Sequence, residues 1–353
     1  MFKTMLLYRI TNPEHVELLN DWAQLDEALQ QKIEYEPTGS QWRGIGFSPY
    51  SPAISEDLVW SGANGVNLFS LMIHERALTA ATIREYVLAR GKVIEDREGR
   101  KVYKKEYAEI KDNVLAELLP KAFIKRRRIT ALVIGDLLVV GASSAKLAED
   151  FLNTLREAMG SLGVRPFTTT MPSKDWMTRL MQTGKMGGLV LGDTVKMVNE
   201  LKDTAQFKGI DLKDDEPQSY LMNGFDIKEM GVFLDTDLYF KLTDTLIFKG
   251  MKFSETLITG AHQDADGDQA AIIDADIILT TDVIRRLVDT ITTNAGEDRA
   301  VAKVIEKPGL RLTHINNVAL DDLMSPAEKL ASLQEQFGGG HAVEDEELET
   351  EDF

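Results

Sequence analysis

Ile129-Thr130-Ala131-Leu132-Val133-Ile134-Gly135-Asp136-Leu137-Leu138-Val139-Val140-Gly141 is the stretch whose reading decides the fold class. Two short aliphatic runs flank a Gly-Asp pair, and a glycine opening a two-residue connection supplies the positive φ of a type II′ turn. The segment therefore reads as a tight antiparallel hairpin over Ile129–Ile134 and Leu137–Gly141. Just downstream, Ser143 or Ser144 caps a helix with Leu147, Phe151, Leu155 and Met159 on one face. Just upstream, directly before the first strand, stand Lys125-Arg126-Arg127-Arg128.

Those four cations close a basic island. Arg84 to Arg128 carries fourteen Lys and Arg against eight Asp and Glu, a net +6 in a chain of formal charge −17, so the remainder sums to −23. A surface that mostly repels polyanions thus has one defined place for a phosphate backbone. Two helices are expected in the island, at about 79–90 and 103–119, joined by the connector Asp96-Arg97-Glu98-Gly99-Arg100. In the second, Tyr103, Tyr107, Ile110, Val114 and Leu118 form one apolar stripe, and Lys101, Lys104, Lys105 and Lys111 fall within an arc of roughly 120° beside it. Pro120 ends that helix, because its ring disfavours helical geometry in the residue before it. Interspersed acids also allow a merely solvated, salt-bridged helical pair. The four consecutive cations, unrelieved by any acid, favour phosphate binding, since arginine grips phosphate oxygens with paired hydrogen bonds. Such contacts position a duplex without reading its sequence.

Elsewhere, residues 3–10 read as a strand and 14–31 as a helix with Leu18, Trp22, Leu25 and Leu29 at helical spacing. A turn-rich passage holding Pro37, Gly39, Gly44, Gly46, Pro49 and Pro52 precedes alternating strands at about 57–73. From Thr168 a second α+β unit is expected, with strands at 232–234, 238–242, 246–249 and 276–279 and a helix at 282–292. Ser325-Pro326-Ala327-Glu328 is a capping box that opens a helix to about Phe337. After Gly338-Gly339-Gly340 comes Glu344–Phe353, with seven carboxylates and no Lys or Arg. Such a segment cannot offset its ordering entropy by burial and is predicted to be disordered.

The 353 residues, 43% apolar and 27% charged, suit a globular protein of two or three domains. With no cysteine, disulfides, thiolate nucleophiles and cysteine-ligated metals are excluded, and a cytoplasmic location is expected. The N-terminus lacks signal-peptide character, and no apolar run approaches the roughly 18 residues of a membrane span. His15, His74, His262, His314 and His341 stand singly, outside any ligand spacing. Gly187 to Thr194 imitates a phosphate-binding loop, but Asp193 occupies the lysine position. Gly141-Ala142-Ser143-Ser144-Ala145 lacks the second glycine of a nucleophile elbow. Asp264, Asp266 and Asp268 around Gly267 depart from a calcium loop, whose twelfth position would be Ala275. No cofactor or metal is expected. The enzymatic alternative is a two-metal nuclease built on Asp274 and Asp276 or Asp235 and Asp237. A purely protein-binding acidic module is a third class.

Asp112-Asn113-Val114-Leu115-Ala116-Glu117-Leu118-Leu119-Pro120-Lys121-Ala122-Phe123, then Ala142-Ser143-Ser144-Ala145-Lys146-Leu147-Ala148-Glu149-Asp150, resemble the bacterial recombination-associated RdgC family. Supporting stretches are Met5 to Ile10, Pro37 to Gln41, Leu155 to Phe167 and Asp274 to Leu279, in consistent order over about Met1 to Ile291. The resemblance implies a non-enzymatic DNA-binding protein without sequence preference. It further implies α+β, multi-domain, horseshoe-shaped subunits with mixed or antiparallel sheets that pair at both ends into a ring around duplex DNA, limiting access of the recombinase RecA. On that pattern, residues 1–74 and 129–168 form a central domain, 75–128 a helical arm, 169–293 a base domain, 294–337 an extension and 338–353 the acidic tail.

DNA contacts are expected from Arg97, Arg100, Lys101, Lys104, Lys105, Lys111, Lys121, Lys125, Arg126, Arg127, Arg128 and Lys208. Lys208 is the single cation where the family loop carries adjacent ones. Phe123 matches the family's dimer contact; apart from that resemblance, its surroundings in the sequence favour an ordinary core aromatic. The partners implied are duplex or single-stranded DNA, a second copy at the nucleoid, and a protein docked on the tail, whose Glu351-Asp352-Phe353 is similar to the ends of single-strand-binding proteins.

Overall fold

In the computed structural model, residues 2–298 are described, apart from Ala63, Asp264 and Asp266. The extension and acidic tail from residue 299 on, and two aspartates of the calcium-loop reading, lie outside the described residues.

Strand β1 (Thr4–Ile10) enters α1 (Pro13–Asn20) and α2 (Trp22–Leu29), where one helix was expected. Asp21 makes the break: its backbone is extended, and its carboxylate accepts from the N–H groups of Ala23 and Gln24, capping α2. Next come β2 (Arg43–Ser48), β3 (Val59–Ser61) and β4 (Asn67–Arg76), then the arm helices α3 (Ala80–Glu98) and α4 (Lys104–Leu118). Helix α3 runs two turns past the expected end. Gly91 does not stop it, because that glycine serves packing: a Cβ there would lie 2.6 Å from the Tyr107 ring of α4.

β5 (Ile124–Ile134) and β6 (Leu137–Val140) form the predicted hairpin with Gly135 at φ +61°. Ser144 caps α5 (Ala145–Met159). The remainder is β7 (Val164–Pro166), α6 (Ser173–Thr183), β8 (Lys185–Met186), β9 (Leu189–Val198), β10 (Thr204–Lys208), α7 (Asp215–Met222), β11 (Asp226–Leu234), β12 (Leu238–Thr243), β13 (Phe248–Phe253), α8 (Glu255–His262) and α9 (Gln269–Ala295). The Gly187–Thr194 mimic is the turn and start of the β8–β9 hairpin, with no helix after it. The expected strand at 276–279 lies inside the 27-residue helix α9.

Among the described residues the strands join one sheet, in the order β10-β9-β11-β12-β13-β1-β6-β5-β4-β2. Every strand pairing is antiparallel. The fold is α+β with a large antiparallel sheet.

β1 is its middle strand, paired to β13 through Thr4 and Met5 and to β6 through Leu6 to Arg9. From Met5 to Ile10 it is buried on both faces, with Arg9 ion-paired to Asp136 and Glu297. Met5 and Leu7 join a core with Trp176 and Leu180 of α6, Phe240 and Phe248, and Ile284, Leu287 and Ile291 of α9. Leu6, Tyr8 and Ile10 join a second core with Leu19, Leu25 and the rings of Phe47, Phe69 and Phe151. Those rings stand 5.6–6.1 Å apart, at the spacing of edge and tilted aromatic pairs. A third, small core of Val87, Val102, Ile110 and Val114 holds the arm together.

Gly44 and Gly46 were expected in turns and lie inside β2. Cβ atoms there would fall 2.1 Å from the Tyr35 carbonyl oxygen and 2.4 Å from that of Ile33. Glycine lets the segment from Ile33 to Glu36 lie flat against the strand. Gly46→Ala is expected to destabilise the protein by about 1–3 kcal/mol, the usual cost of overpacking, measured by denaturant unfolding.

Candidate nucleic-acid interface

The run Lys125-Arg126-Arg127-Arg128 lies within β5, which begins at Ile124, and not ahead of the strand as its sequence suggested. Strand geometry then divides the four cations, because successive side chains point to opposite faces. The register pairs Lys125 with Glu75 and Arg43, and Arg127 with Ile73 and Ile45, on the face covered by α5. Arg126 pairs with His74 and Arg128 with Met72 on the other face. β6 pairs only with Ala131 to Ile134, so over Ile124 to Ile129 the described strands flank β5 on the β4 side alone. All four side chains are exposed. Thr130 turns its carbonyl toward Gly141 on the β6 side. By alternation, Arg126 and Arg128 turn their backbone groups to that unpaired side as well.

The cations are unequally available. Arg126 donates to Glu36, whose carboxyl is held below its usual range by that hydrogen bond and charge. Arg128 donates to the backbone carbonyl of Tyr50. Lys125 and Arg127 have no ion pair among the described residues. On the arm, Arg97 pairs with Glu98, Lys121 with Glu117 at 3.5 Å, and Arg100 with Glu98 at 2.8 Å and Glu106 at 2.6 Å. The Arg100 contact, with a hydrogen bond from the Tyr103 N–H, lowers the Glu106 carboxyl to about 2. A depressed carboxylate is lost only as pH falls through its folded value, so this pair stays ionised at neutral pH and Arg100 remains shared. Lys104, Lys105 and Lys111 project from α4 and are exposed. Lys101 precedes the helix, so the expected arc holds three lysines and not four.

Phe123 is 88% exposed. That overturns the core-aromatic alternative. Its backbone is nonetheless fixed: its carbonyl accepts from the Ala77 N–H at 2.7 Å, and buried Arg76 donates to the carbonyls of Pro120 and Pro37 at 2.9 and 2.7 Å. On the arm, Tyr86, Ala89, Val93 and Ile94 of α3 face Ile110 and Asn113 of α4 across an open, mainly apolar groove of about 440 Å³. Phe123 and this groove are exposed apolar surfaces of the arm, as are Leu88 and Tyr103.

Lys208 ends β10, the strand at the far end of the sheet order, so the structure does not gather it with the β5 cations. Of the two aspartate pairs, Asp274 and Asp276 are separated on their helix, while the charges of Asp235 and Asp237 both bear on Arg286. Asp274 accepts from the Trp60 indole at 2.8 Å, while Asp276, two residues along α9, contacts His262 at 2.7 Å. Residues two apart on a helix do not share a face. Asp237 accepts from Arg286 at 2.6 Å, whereas Asp235 lies in the β11–β12 turn at φ +47°. Among the described residues no three His, Asp or Glu side chains form a group able to hold a metal, and no helix is long and apolar enough to cross a membrane.

A family model described as "Putative exonuclease, RdgC" matches residues 1–297. The chain belongs to the RdgC family. The Recombination-associated protein RdgC of Pseudomonas putida is 34% identical over 281 residues, covering 76% of this chain and 88% of that protein. Its namesake in Shewanella oneidensis is 32% identical over 307 residues, covering 84% and 97%. These RdgC relatives are named for recombination and not for a catalytic activity, although the family description mentions an exonuclease.

Reading the sequence of this RdgC-family chain alone missed the residues that set the site's electrostatics. Glu36 and Arg126 are ninety positions apart, and Arg76 is a single arginine with no local signal; only strand pairing brings them to their partners.

Proposed function

We propose that two copies of this chain pair through both ends of horseshoe-shaped subunits into a ring around duplex DNA, holding it by phosphate contacts without reading sequence. The arm (75–128), central domain (1–74 with 129–168) and base domain (169–293) form each half. Bound at the nucleoid in the cytoplasm, such a ring limits access of a recombinase such as RecA, in keeping with relatives named for recombination. The observation that carries the reading is the exposed basic strand Lys125–Arg128, unpaired on one side, in a chain of net charge −17. Phe123 and the arm groove suit the arm-to-arm contact: in a two-fold pair, each Phe123 enters the groove of the other copy. The acidic tail is assigned to a protein partner or to exchange with DNA on the basic strand.

A gel-shift series across salt, beside a mass measurement, tests this. The logarithm of affinity should fall linearly with the logarithm of salt, alike for unrelated duplexes, and the mass should be that of a dimer. A monomer, or a salt-independent shift, contradicts it. The exonuclease in the family description is tested in the same tubes: DNA shortened on incubation with Mg²⁺ or Mn²⁺ favours the nuclease reading.

Glu36 supplies a second prediction. Glu36→Gln removes the carboxylate that shares Arg126, so duplex affinity should rise several-fold at low salt and the salt slope should steepen by up to about 0.9, one phosphate contact. An unchanged slope means that Arg126 does not meet the backbone.

A further inference from the structure

A cavity of about 280 Å³ opens beside the proposed DNA strand, between the central sheet and α9. Its wall is apolar and buried: Phe2, Leu68 and Leu132 from the sheet side and Ile277 from α9. Its solvent side carries two exposed cations, Lys3 and Arg128, and exposed Ser143. Hydrogen-bonding groups stand between, namely the Asp276 carboxylate, Tyr50 and Thr130. Burial raises the Tyr50 phenol above its usual value, and nearby Asp276 raises it further.

This combination is selective. The volume lies just under the roughly 300 Å³ at which drug-sized ligand sites begin, so it fits one planar ring system and excludes a duplex or a folded peptide. An apolar slot with donors and acceptors at its rim suits a heteroaromatic base, whose faces are apolar and whose edge is polar. Two cations at the entrance suit the phosphate attached to that base. Arg128 belongs both to this entrance and to the basic strand, so a backbone tracking β5 would deliver a nucleotide here.

We propose that this cavity receives the unstacked base of a single nucleotide, from a strand end or a single-stranded stretch, with its phosphate at Lys3 and Arg128. The inference rests on the nucleic-acid reading of β5 and adds a mode of contact that the duplex-encircling reading lacks.

The test uses the full chain and deoxyadenosine monophosphate, titrated calorimetrically. Saturable binding at millimolar ligand with one site per chain is expected. Ser143→Trp, which places an indole over the mouth from an exposed position, should weaken it by roughly tenfold or more while duplex affinity is unchanged. Lys3→Glu should weaken it too, and serves if the tryptophan variant does not fold. No saturable binding, or binding unaffected by either variant, overturns the proposal. Binding of a peptide with the sequence of Glu344–Phe353 in place of the nucleotide would overturn it in favour of an acidic peptide site. Loss of duplex binding by the unaltered chain, with nucleotide binding retained, would sink the duplex reading and leave this site standing.

Discussion

Replacing Arg126, Arg127 and Arg128 together with Ala is expected to weaken binding to every duplex by roughly 10²–10³-fold at about 0.1 M salt. The magnitude follows from counterion release. Each phosphate contact contributes about 0.9 to the log–log salt slope, so three contacts remove up to about 2.7. If the lines for parent and variant converge near 1 M salt, a decade lower they stand apart by that exponent. The loss should be uniform across sequences, because phosphate contacts carry no base information. The side chains are exposed and outside all three cores, so the fold should persist, which circular dichroism checks.

Geometry refines this into an order among single variants. Arg127 has no ion pair among the described residues and should cost about one contact on its own, whereas Arg126 already spends part of its charge on Glu36 and should cost less. Because Arg127 and Arg126 project to opposite faces of β5, one straight phosphate track cannot meet them symmetrically. Changing all three to Lys should restore the slope yet not the full affinity, since lysine keeps the charge and loses the two-pronged grip. An unchanged slope in the triple Ala variant would remove these arginines from the interface.

How much of this was legible in the sequence depends on the range of the interaction that decides each feature. The β5–β6 hairpin, the capped helix α5 and the arm stripe of Ile110 and Val114 are fixed by local spacing, and the structure has them. The strand expected at 276–279 failed because a short aliphatic run has no period of its own; the run lies inside the 27-residue helix α9. Gly44 and Gly46 failed for one shared reason. Both read as turn glycines, whereas the missing side chain of each makes room inside a strand for a backbone segment that crosses it, as that of Gly91 makes room for Tyr107 inside a helix. The basic island was visible as charge. Its division into shared and available cations was not, because Glu36 and Tyr50 reach it only through tertiary structure.

Phe123→Asp is expected to open the arm contact without disturbing the subunit. At 88% exposure the ring contributes almost nothing to the fold, and its backbone stays clamped by Arg76 and Ala77. A buried aromatic anchor contributes about 2 kcal/mol or more to an interface. Two-fold symmetry counts it twice, so the arm contact should weaken by about 4 kcal/mol, roughly a thousandfold. A ring closed at two places would not fall into monomers on losing one of them. The variant should therefore keep a dimer's mass while losing the ability to stay on covalently closed circular DNA through a high-salt wash. The parent protein, topologically linked, should resist that wash on circles and slide off linear DNA. Val93→Asp, at a groove position 66% exposed, should reproduce the effect from the other side of the contact. If the Phe123 variant stays on circles as the parent does, the ring does not close at the arm. If only the Phe123 variant fails, the groove is not where the ring lodges.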